Sequence, residues 1–322
     1  RSAFPEDVLA AINASANPCD DFYEYSCGAW IANTTIPSFQ PSWAKQWDGV
    51  NDEVQDDVVE LLKEDKGPAG KMFRSCMDVD AIDKAGAGPI LAWVKSVDKI
   101  VDRESLDRAL VEFAIADLNV FWSWWVDADS VDSTINSFFL AEGGTTMPDR
   151  SYYLDKTEEM KGHRAAYRKL AQTLLTLAGR SPEEAKQDTE QMLQIETALA
   201  KAQSTNAAAR DEHGERVSPE EFYRMVPEIN WKGWFDGLGL KGLGTQKGGY
   251  LVVRQVKFLK AVSEILSTSS MSNIRAYMRW KLVHSYAPTL SIEFEDALLA
   301  YNKELVGISV LPPRVRKCYF TT

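Results

Sequence analysis

Cysteine placement constrains this chain of 322 residues more than any other sequence feature. There are four cysteines, and two of them fall within one short segment near the start, "NPCDDFYEYSCGAW", residues 17–30. The cysteine positions, 19, 27, 76 and 318, fit neither a zinc knuckle nor a Cys-x-x-Cys redox pair. Disulfides are therefore the leading interpretation, and buried free thiols are the alternative.

Two glycosylation sequons favour the same oxidising, secretory route. They are Asn13-Ala14-Ser15 and Asn33-Thr34-Thr35, so Asn13 and Asn33 are the predicted glycan acceptors. The sequence has no run of about eighteen apolar residues, and its opening "RSAFPEDVLA" lacks the regions of a signal peptide. We therefore expect an extracellular protein, secreted or part of an ectodomain, whose targeting segment has been removed or never existed.

The composition is that of a globular protein with a substantial core. Hydrophobic residues make up 45% of the chain and charged residues 26%, which suits one large domain or two modest ones. The formal net charge of -11 argues against nucleic acid as a partner, because a polyanion is repelled unless a local basic patch intervenes. The densest basic cluster, formed by Arg314, Arg316 and Lys317, is short.

Apolar residues at helical spacing predict a mainly α-helical fold. Residues 50–64 carry one such stripe with acids between its members, which predicts a helix whose stripe faces a core. The stripe consists of Val50, Val54, Val58, Leu61 and Leu62. Two shorter helices are predicted after it, one that carries Cys76 and one from about Leu106 to Leu118.

Helix signals dominate from residue 158 onward. A second apolar stripe ends at Gly179, and its members are Tyr167, Leu170, Leu174 and Leu177. The sequence "SPEE" begins at Ser181 and again at Ser218. In each copy the serine is a predicted N-cap, proline suits the first turn, and the last glutamate can reach back to the cap.

One β-hairpin is the only sheet that we expect in this chain. The segments "NVFWSWWVD" and "STINSFFLAE" are rich in aromatic and β-branched residues and flank the polar "ADSVD". "YLVVRQVKFLKAVSEIL", from Tyr250, begins like a strand and turns helical. The glycine-rich segment 230–249 is predicted to be a loop, without the features of a phosphate loop. The predicted fold is a multi-helix lobe, mainly α, with one small β-hairpin.

The residues themselves show no catalytic or metal-binding motif. The three histidines, His163, His213 and His284, lie far apart and form neither a His-Glu-x-x-His nor a His-x-x-x-His pattern. The acids around His213 are better explained as a solvated charge run than as a cation site. A Gly-x-Ser-x-Gly nucleophile elbow is also missing from the sequence.

Tryptophans are the other candidates for binding, and the chain has ten of them. Aromatic rings can line a peptide or sugar groove, because they offer a large contact area at a low entropic cost. Core packing is the favoured explanation for the tryptophans of the hairpin. Trp43 and Trp47 are spaced by one helical turn beside Asp48. For these two tryptophans, a role in a binding groove and a role in core packing are equally good explanations.

The opening segment carries a resemblance to a known family. "PCDDFYEYSCGAWIANTTIP", residues 18–37, is similar to the start of the ectodomain in neprilysin-like zinc metallopeptidases. The family pattern is Pro-Cys-x-Asp-Phe-Tyr-x-Tyr-x-Cys-Gly-x-Trp, followed after a short gap by Ile-Pro. Five further matches occur in family order, namely "FRSCMD" at 73–78, "MPDRSYYL" at 147–154, Arg210-Asp211, "YMRWKLV" at 277–283 and "PPRVRKC" at 312–318.

The resemblance is to the amino-terminal half of that family. It implies an N-terminal extension, residues 1–16, followed by the amino-terminal helical domain, residues 17–322. This domain would be one half of a two-lobed peptidase that encloses a chamber, and it would form chamber walls that restrict substrate size. The catalytic zinc domain, with its His-Glu-x-x-His helix, would follow residue 322, so this chain would hold no catalytic residue and no zinc ligand.

The function that the resemblance implies is that of a zinc metalloendopeptidase that hydrolyses oligopeptides, with zinc bound by the catalytic half. The expected partners are oligopeptide substrates and the catalytic half of the same protein, either as a continuation of this chain or as a separate disulfide-linked chain. A catalytically inactive binding protein derived from such a peptidase is the alternative. A reading frame that continues into His-Glu-x-x-His would separate the two hypotheses.

The resemblance also implies a disulfide pattern. In the family, the cysteines that match Cys76 and Cys318 are joined, and those that match Cys19 and Cys27 bond to cysteines near the end of the catalytic half. A bridge from Cys76 to Cys318 closes a very long loop, which chain-entropy theory values at about 4 to 5 kcal/mol. The spacing of Cys19 and Cys27 does not by itself forbid a bond between them.

Four residues after the opening segment are candidates for substrate binding. Some family members carry an arginine, then an aromatic residue and an aspartate there, and the arginine helps to receive the carboxylate end of short peptides. Here "PSWAKQWDGVNDEV" keeps Trp47 and Asp48 but places Trp43 or Lys45 where the arginine would be. Lys45 would supply a point charge without the bidentate fork of arginine.

Overall fold

The computed structural model of the protein describes residues 4–45, 47–211, 214–243 and 249–322. The chain forms two compact units. Unit 1 consists of the chain up to Phe73 together with Val306–Thr322, and unit 2 consists of Arg74–Leu305. The domain boundary expected after residue 16 stays a prediction.

The described helices of unit 1 are α1 (Glu6–Ala10), α2 (Phe22–Asn33), α3 (Asp48–Glu64) and α17 (Arg314–Thr321). The two boundaries between the units fall within α4 (Pro68–Met77) and near the end of α16 (Ile292–Val306). The short helix predicted to carry Cys76 is therefore confirmed as α4.

Helix α3 confirms the helix predicted over residues 50–64, but the prediction that its apolar stripe faces a core holds only for Leu62, which is buried, and in part for the half-buried Val58. Val50 is 56% exposed, Val54 46% and Leu61 71%. The side chains that α3 buries are Gln55, Val59 and Leu62. These three follow one another at single helical turns, and α3 packs on α17 within unit 1. Tertiary contact thus decided which side of the helix is covered.

Unit 2 holds the remaining elements. In chain order they are α5 (Val79–Ala85), α6 (Gly88–Ser96), α7 (Arg103–Ile115), β1 (Trp122–Ala128), β2 (Asn136–Glu142), α8 (Arg150–Leu154), α9 (Glu158–Leu177), α10 (Pro182–Ala202), α11 (Asn206–Asp211), β3 (Glu215–Val217), α12 (Pro219–Met225), α13 (Trp231–Gly237), β4 (Leu251–Val253), α14 (Val256–Thr268) and α15 (Met271–Tyr286). Single 3-10 turns, Val97–Lys99 and Ala287–Thr289, follow α6 and α15.

Helix α10 lies at the centre of unit 2, where it packs against α8, α9, α14 and α15. Its start is the predicted one: the Ser181 hydroxyl accepts from the Glu184 backbone N–H, and the Glu184 carboxylate accepts from the Ser181 N–H. This reciprocal pair is a capping box. Helix α9 ends as predicted before Gly179, which adopts a φ of +92° that glycine tolerates without strain.

The predicted hairpin is confirmed, but it is not the whole sheet. Strands β1 and β2 pair antiparallel with Trp125 opposite Phe139, and the full strand order is β1-β2-β4-β3. Strand β4 pairs parallel with β2, and β3 pairs antiparallel with β4. Both added strands have three residues. Such short strands leave almost no alternating pattern, which is why the sequence did not indicate β3.

A buried aromatic cluster holds the hairpin against α13. The Trp122 ring lies 4.7 Å from Trp231, and Trp124 stacks on Phe138 with 5.6 Å between centroids. The loop predicted over residues 230–249 is therefore wrong for its first part, which forms α13. Glycines at 233 and 237 obscured the helix, whereas burial of Trp231, Trp234 and Phe235 stabilises it. Residues 244–248 lie outside the described part of the chain.

A buried guanidinium links three elements of unit 2. Arg279 on α15 is 2% exposed, and its Nη1 donates to Asp188 of α10 at 2.8 Å. Its Nη2 donates to Asp98 in the turn after α6. Asp188 also accepts from Arg180 Nε at 2.9 Å, so its buried carboxylate serves two guanidinium groups. Arg279 belongs to the motif "YMRWKLV", which gives this motif a structural role.

A second buried carboxylate fixes the tip of the hairpin. Asp129 accepts hydrogen bonds from the backbone N–H of Val131 at 2.8 Å, from Arg216 Nη2 at 2.7 Å and from the Tyr250 hydroxyl at 3.0 Å. The backbone N–H groups of Val131 and Asp132, together with Arg216 and the Ser137 hydroxyl, hold the pKa of Asp129 well below its ordinary value of 3.8 against the opposing effect of burial. Because Arg216 lies on β3, Asp129 ties the hairpin tip to the far edge of the sheet.

Replacement of Arg279 by alanine should destabilise the protein by about 3 to 5 kcal/mol, because the change leaves the carboxylate of Asp188 buried with less compensation. Urea unfolding of the whole chain measures this loss. Arg108→Ala is the matched control, since Arg108 pairs with Glu104 on the exposed side of α7 and should cost about 0.5 kcal/mol or less. Equal losses for the two variants would contradict the structural role of Arg279.

Asp129→Asn should lower the thermal midpoint at pH 7, and the difference from the unchanged protein should shrink as the pH falls. A carboxyl whose pKa is lowered by folding stabilises the native state above its unfolded pKa, here 3.8, and loses that effect as the pH drops through its folded pKa. Calorimetry between pH 7 and acid measures both trends. Asp127→Asn is the control, because Asp127 is exposed on the same hairpin. A deficit that grows toward acid would contradict the assignment.

Candidate functional site

Unit 1 displays many large apolar side chains and buries few. Among its described residues the buried apolar side chains are Ala11, Val59, Leu62, Phe73 and Cys318. The exposed ones, which we call the apolar set of unit 1, are Phe4, Val8, Leu9, Phe22, Tyr23, Ile31, Ile36, Trp47, Val50, Val54, Leu61, Met72, Val306, Val310 and Phe320. Where exposed apolar side chains are contiguous, such a surface usually serves an interaction.

The opening cysteine segment supplies part of this set. Helix α2 begins after Asp21, whose carboxylate accepts from the Glu24 backbone N–H at 2.8 Å and so caps the helix. The next two residues, Phe22 and Tyr23, are 68% and 67% exposed. Cys19 is also exposed, in a turn where its backbone N–H donates to Asn17 Oδ1 at 3.0 Å. The exposed thiol of Cys19 and the exposed rings of Phe22 and Tyr23 therefore lie close together in sequence at the start of α2.

Gly28 explains how α2 packs within unit 1. It is buried, and a Cβ at this position would lie 2.3 Å from Glu24 Oε1 and 3.0 Å from the Asn13 Cβ. The side chains of Asn13 and Glu24 occupy that space, and the Asn13 amide donates a hydrogen bond of 2.7 Å to Glu24 Oε1. Larger side chains would break this contact, so the glycine that follows Cys27 in the motif has a packing reason.

The two sequon asparagines differ in their surroundings. Asn13 is half-buried and is held by Glu24, while its Oδ1 accepts from the hydroxyl of Ser15 at 2.6 Å. Asn33 is exposed at the end of α2, and its side-chain amide donates to the Ala29 carbonyl at 2.7 Å. Glycosylation of either residue stays a prediction.

The disulfide predicted between Cys76 and Cys318 is confirmed. Cys318 is fully buried. Cys19 and Cys27 form no disulfide among the described residues, neither with each other nor with another cysteine, and Cys27 is half-buried. Their predicted bonds to a catalytic half stay a prediction.

The four candidate substrate residues belong to unit 1, but they do not lie on one helix. Trp43 precedes α3 in irregular backbone, and Trp47 stands at its N-cap position, 67% exposed. Asp48 accepts from the backbone N–H of Ala44, which closes the turn between them. Lys45 Nζ donates to Asp7 at 3.0 Å. A peptide carboxylate would therefore compete with Asp7 for Lys45.

A basic residue near the end of the chain has an internal role that the sequence did not indicate. Arg316 on α17 pairs with Asp52 of α3. Its guanidinium also lies over the rings of Phe39 and Phe320, at 5.5 and 5.7 Å from their centroids. Such cation–π contacts add to the ion pair. Arg316 thus fixes α17 on α3.

A buried carboxylate in unit 2 explains the motif "MPDRSYYL" and was missed by sequence reasoning. Glu196 of α10 is fully buried and accepts from the hydroxyls of Thr146 at 2.6 Å, Tyr167 at 2.8 Å and Tyr153 at 3.0 Å. Burial raises the pKa of Glu196, while Lys281 and the three hydroxyls oppose that rise. The only sequence signal was one acid on an apolar face of α10.

The described part of the chain contains no group of three His, Cys, Asp or Glu side chains placed to hold a metal ion. His163 lies 3.8 Å from Glu159 on α9. His284 packs 4.9 Å from the Trp280 ring, and burial together with nearby Lys281 lowers its pKa to about 4. His213 lies outside the described residues. No described helix is both long and apolar enough to cross a membrane.

Comparison with known sequences gives one consistent result. The sequence model described as peptidase family M13 matches residues 18–322. Endothelin-converting enzyme 1 of Homo sapiens is 25% identical over 330 residues, which cover 98% of this chain and 43% of that protein. Neprilysin-11 of Caenorhabditis elegans is 24% identical over 341 residues, covering 96% of this chain and 40% of that protein. The chain therefore spans less than half the length of these relatives.

Comparison with solved structures shows the same fold. The zinc metalloprotease ZMP1 of Mycobacterium tuberculosis, in complex with an inhibitor, superposes with a TM-score of 0.86 at 23% identity. The alignment covers 97% of this chain and 49% of that one. PepO from Lactobacillus rhamnosis gives a TM-score of 0.77 at 19% identity, over 95% of this chain and 49% of that one.

In the chain of 322 residues, a maleimide should label Cys19 and Cys27 without reduction, whereas Cys76 and Cys318 should react only after reduction. Cys19 should react faster, because it is exposed and Cys27 is half-buried. Peptide mapping by mass spectrometry locates the adducts. Cys19→Ser, which should remove the faster adduct alone, is the control. Labelling of Cys76 before reduction would contradict the disulfide.

Proposed function

The chain belongs to peptidase family M13, and from this membership we propose that it is the amino-terminal, non-catalytic portion of a zinc metalloendopeptidase that hydrolyses oligopeptides. The observation that carries the proposal is the match to residues 18–322, nearly the whole chain. It confirms the resemblance seen in the opening motif, and the mainly helical fold with a small sheet matches the amino-terminal half of M13 peptidases.

We assign zinc to the catalytic half of the protein. The described residues of this chain do not fit a zinc site, because no three potential ligands come together. We therefore derive no catalytic step from them. Zinc in such a peptidase would activate a water molecule and polarise the scissile carbonyl. The contribution of this chain would be to wall the chamber and to limit the size of substrates that enter it.

The catalytic half is also the proposed partner of unit 1. The apolar set of unit 1 supplies surface that a second lobe would bury, and burial of apolar area stabilises such a contact by about 25 cal/mol per Å². Cys19 and Cys27 have no disulfide partner among the described residues, and they lie in the same segment as the exposed Phe22 and Tyr23. We propose that both thiols bond to cysteines of the catalytic half, whether it continues this chain or forms a separate one.

Trp43, Lys45, Trp47 and Asp48 are the proposed contacts of this chain with an oligopeptide. The exposed ring of Trp47 supports the proposal, because an aromatic surface suits peptide side chains. The contact between Lys45 and Asp7 would have to open for Lys45 to receive a carboxylate.

An extracellular location is proposed for the protein, secreted or as an ectodomain. The disulfide between Cys76 and Cys318 supports it, because such bonds persist in oxidising compartments. Asn13 and Asn33 are the proposed glycan acceptors under the same assumption.

The complete protein should hydrolyse a fluorogenic oligopeptide, lose this activity with a chelator and regain it with zinc, while this chain alone should show none. In the complete protein, Cys19 and Cys27 should resist maleimide until reduction, because they are bonded to the catalytic half. Peptide mapping without reduction identifies their partners. An inactive complete protein that still binds oligopeptides would contradict the peptidase and favour the binding protein.

A further inference from the structure

Strand β1 forms one edge of the sheet, because the strand order is β1-β2-β4-β3. The backbone N–H of Asp129, just after β1, donates to the Ile135 carbonyl at 3.0 Å and so faces β2. Successive residues of a strand direct their backbone groups to opposite sides. The backbone N–H and C=O groups of Trp125 and Asp127 therefore also point toward β2. Those of Trp124 and Val126 point outward, away from the sheet.

These outward groups have no hydrogen-bond partner among the described residues. Strand β1 pairs with β2 alone, and no turn, loop or side chain of the described chain bonds to the backbone of Trp124 or Val126. Val126 is 54% exposed. The free stretch ends at Ala128, whose N–H donates to the carboxylate of Asp127 at 2.7 Å. Two outward N–H and two outward C=O groups are therefore without a partner in the described part of the chain, one pair on the exposed Val126 and one on the half-buried Trp124.

The edge is held rigidly by aromatic contacts on both faces. Trp124 stacks on Phe138 at an interplanar angle of 11° and meets the edge of Trp234 at 5.6 Å. On the opposite face Trp125 stacks on Phe139 with 5.3 Å between centroids and an angle of 4°. Because β1 is ordered already, a ligand strand would not have to order it, which favours binding.

The charge around this edge is one-sided. The segment 119–149 contains Asp127, Asp129, Asp132, Glu142 and Asp149 and not one lysine or arginine. Arg216 pairs with Asp129, but Asp127, on β1, and Asp132, in the turn that follows β1, stay exposed. Two copies of this edge would bring like charges together, which disfavours self-association. A cationic partner would be attracted instead.

We propose that the outer edge of β1 binds an extended, cationic peptide segment as an added strand. The backbone of the segment would donate to and accept from Trp124 and Val126, and its lysine or arginine side chains would lie near Asp127 and Asp132. Strand addition of this kind obtains affinity from main-chain bonds and specificity from side chains. The proposal does not depend on peptidase activity, because the contact requires no hydrolysis.

Titration of the chain with a short peptide of alternating lysine and valine tests this proposal. Hydrogen exchange should show new protection at the amides of Trp124 and Val126 in the complex. The same peptide with alternate amides N-methylated should bind about tenfold more weakly, since it cannot complete the ladder. A peptide with glutamate in place of lysine should also bind more weakly. Calorimetry measures all three affinities.

Val126→Pro removes one outward N–H, and proline is tolerated in an edge strand where that group faces solvent. This variant should lose binding about tenfold, whereas the control Val126→Thr, which keeps the N–H, should not. If the proline variant does not fold, the N-methylated peptide tests the same bonds on the unchanged protein. Equal affinity for the N-methylated and the unmodified lysine–valine peptide would overturn the proposal. Absence of saturable binding by the unmodified peptide would overturn it too. Concentration-dependent dimerisation that protects the same two amides without peptide would overturn it as well.

Discussion

The contact between α10 and α15 is the interaction on which the rest of unit 2 depends. Helix α10 buries one side along most of its length, α15 is buried nearly all round from Ile274 to Val283, and polar groups join the two helices within that apolar contact. Asp188 of α10 receives Arg279 of α15, and Glu196 of α10 receives the hydroxyls of Thr146 and Tyr153 from the segment after β2. Two buried carboxylates on one central helix thus fix the position of α15 and the path of the chain that leaves the sheet. Removal of either would leave partners unsatisfied inside the core, which is why single changes there should be costly.

Local signals in the sequence predicted the local parts of this fold. The caps at Ser181 and Ser218 and the stop at Gly179 are interactions among near neighbours, so they are visible in the sequence itself. The segment from Tyr250 was likewise predicted to begin as a strand, which is β4, whereas the covered side of α3, the helix at Trp231 and the strand β3 depend on contacts with distant residues. The same holds for Glu196, whose partners Tyr153 and Tyr167 are far from it in sequence. Pattern analysis sees none of these contacts, although an acid on an apolar helix face is a sign that buried donors are near.

The two units solve the problem of apolar burial differently. Unit 2 packs its helices and sheet around one continuous core, in which Tyr167, Tyr277 and Trp280 are fully buried. Unit 1 buries few apolar side chains and leaves its apolar set in contact with solvent. Each Å² of apolar surface left in water costs about 25 cal/mol of free energy relative to its burial. A second lobe over unit 1 would remove this cost, which agrees with a chain that spans less than half the length of the curated relatives it matches.

The residues of the opening segment divide into two classes by this reasoning. Asp21, Glu24 and Gly28 are explained within unit 1, by a helix cap, a hydrogen bond to Asn13 and a close approach that excludes a side chain. Cys19, Phe22 and Tyr23 have no such explanation, because they are exposed and the thiol is unbonded. A segment under purely internal constraint would not need an exposed thiol beside two exposed rings. Residues of this second class are therefore the ones on which the proposed contact with a second lobe rests, and bonds from Cys19 and Cys27 to that lobe are part of the same proposal.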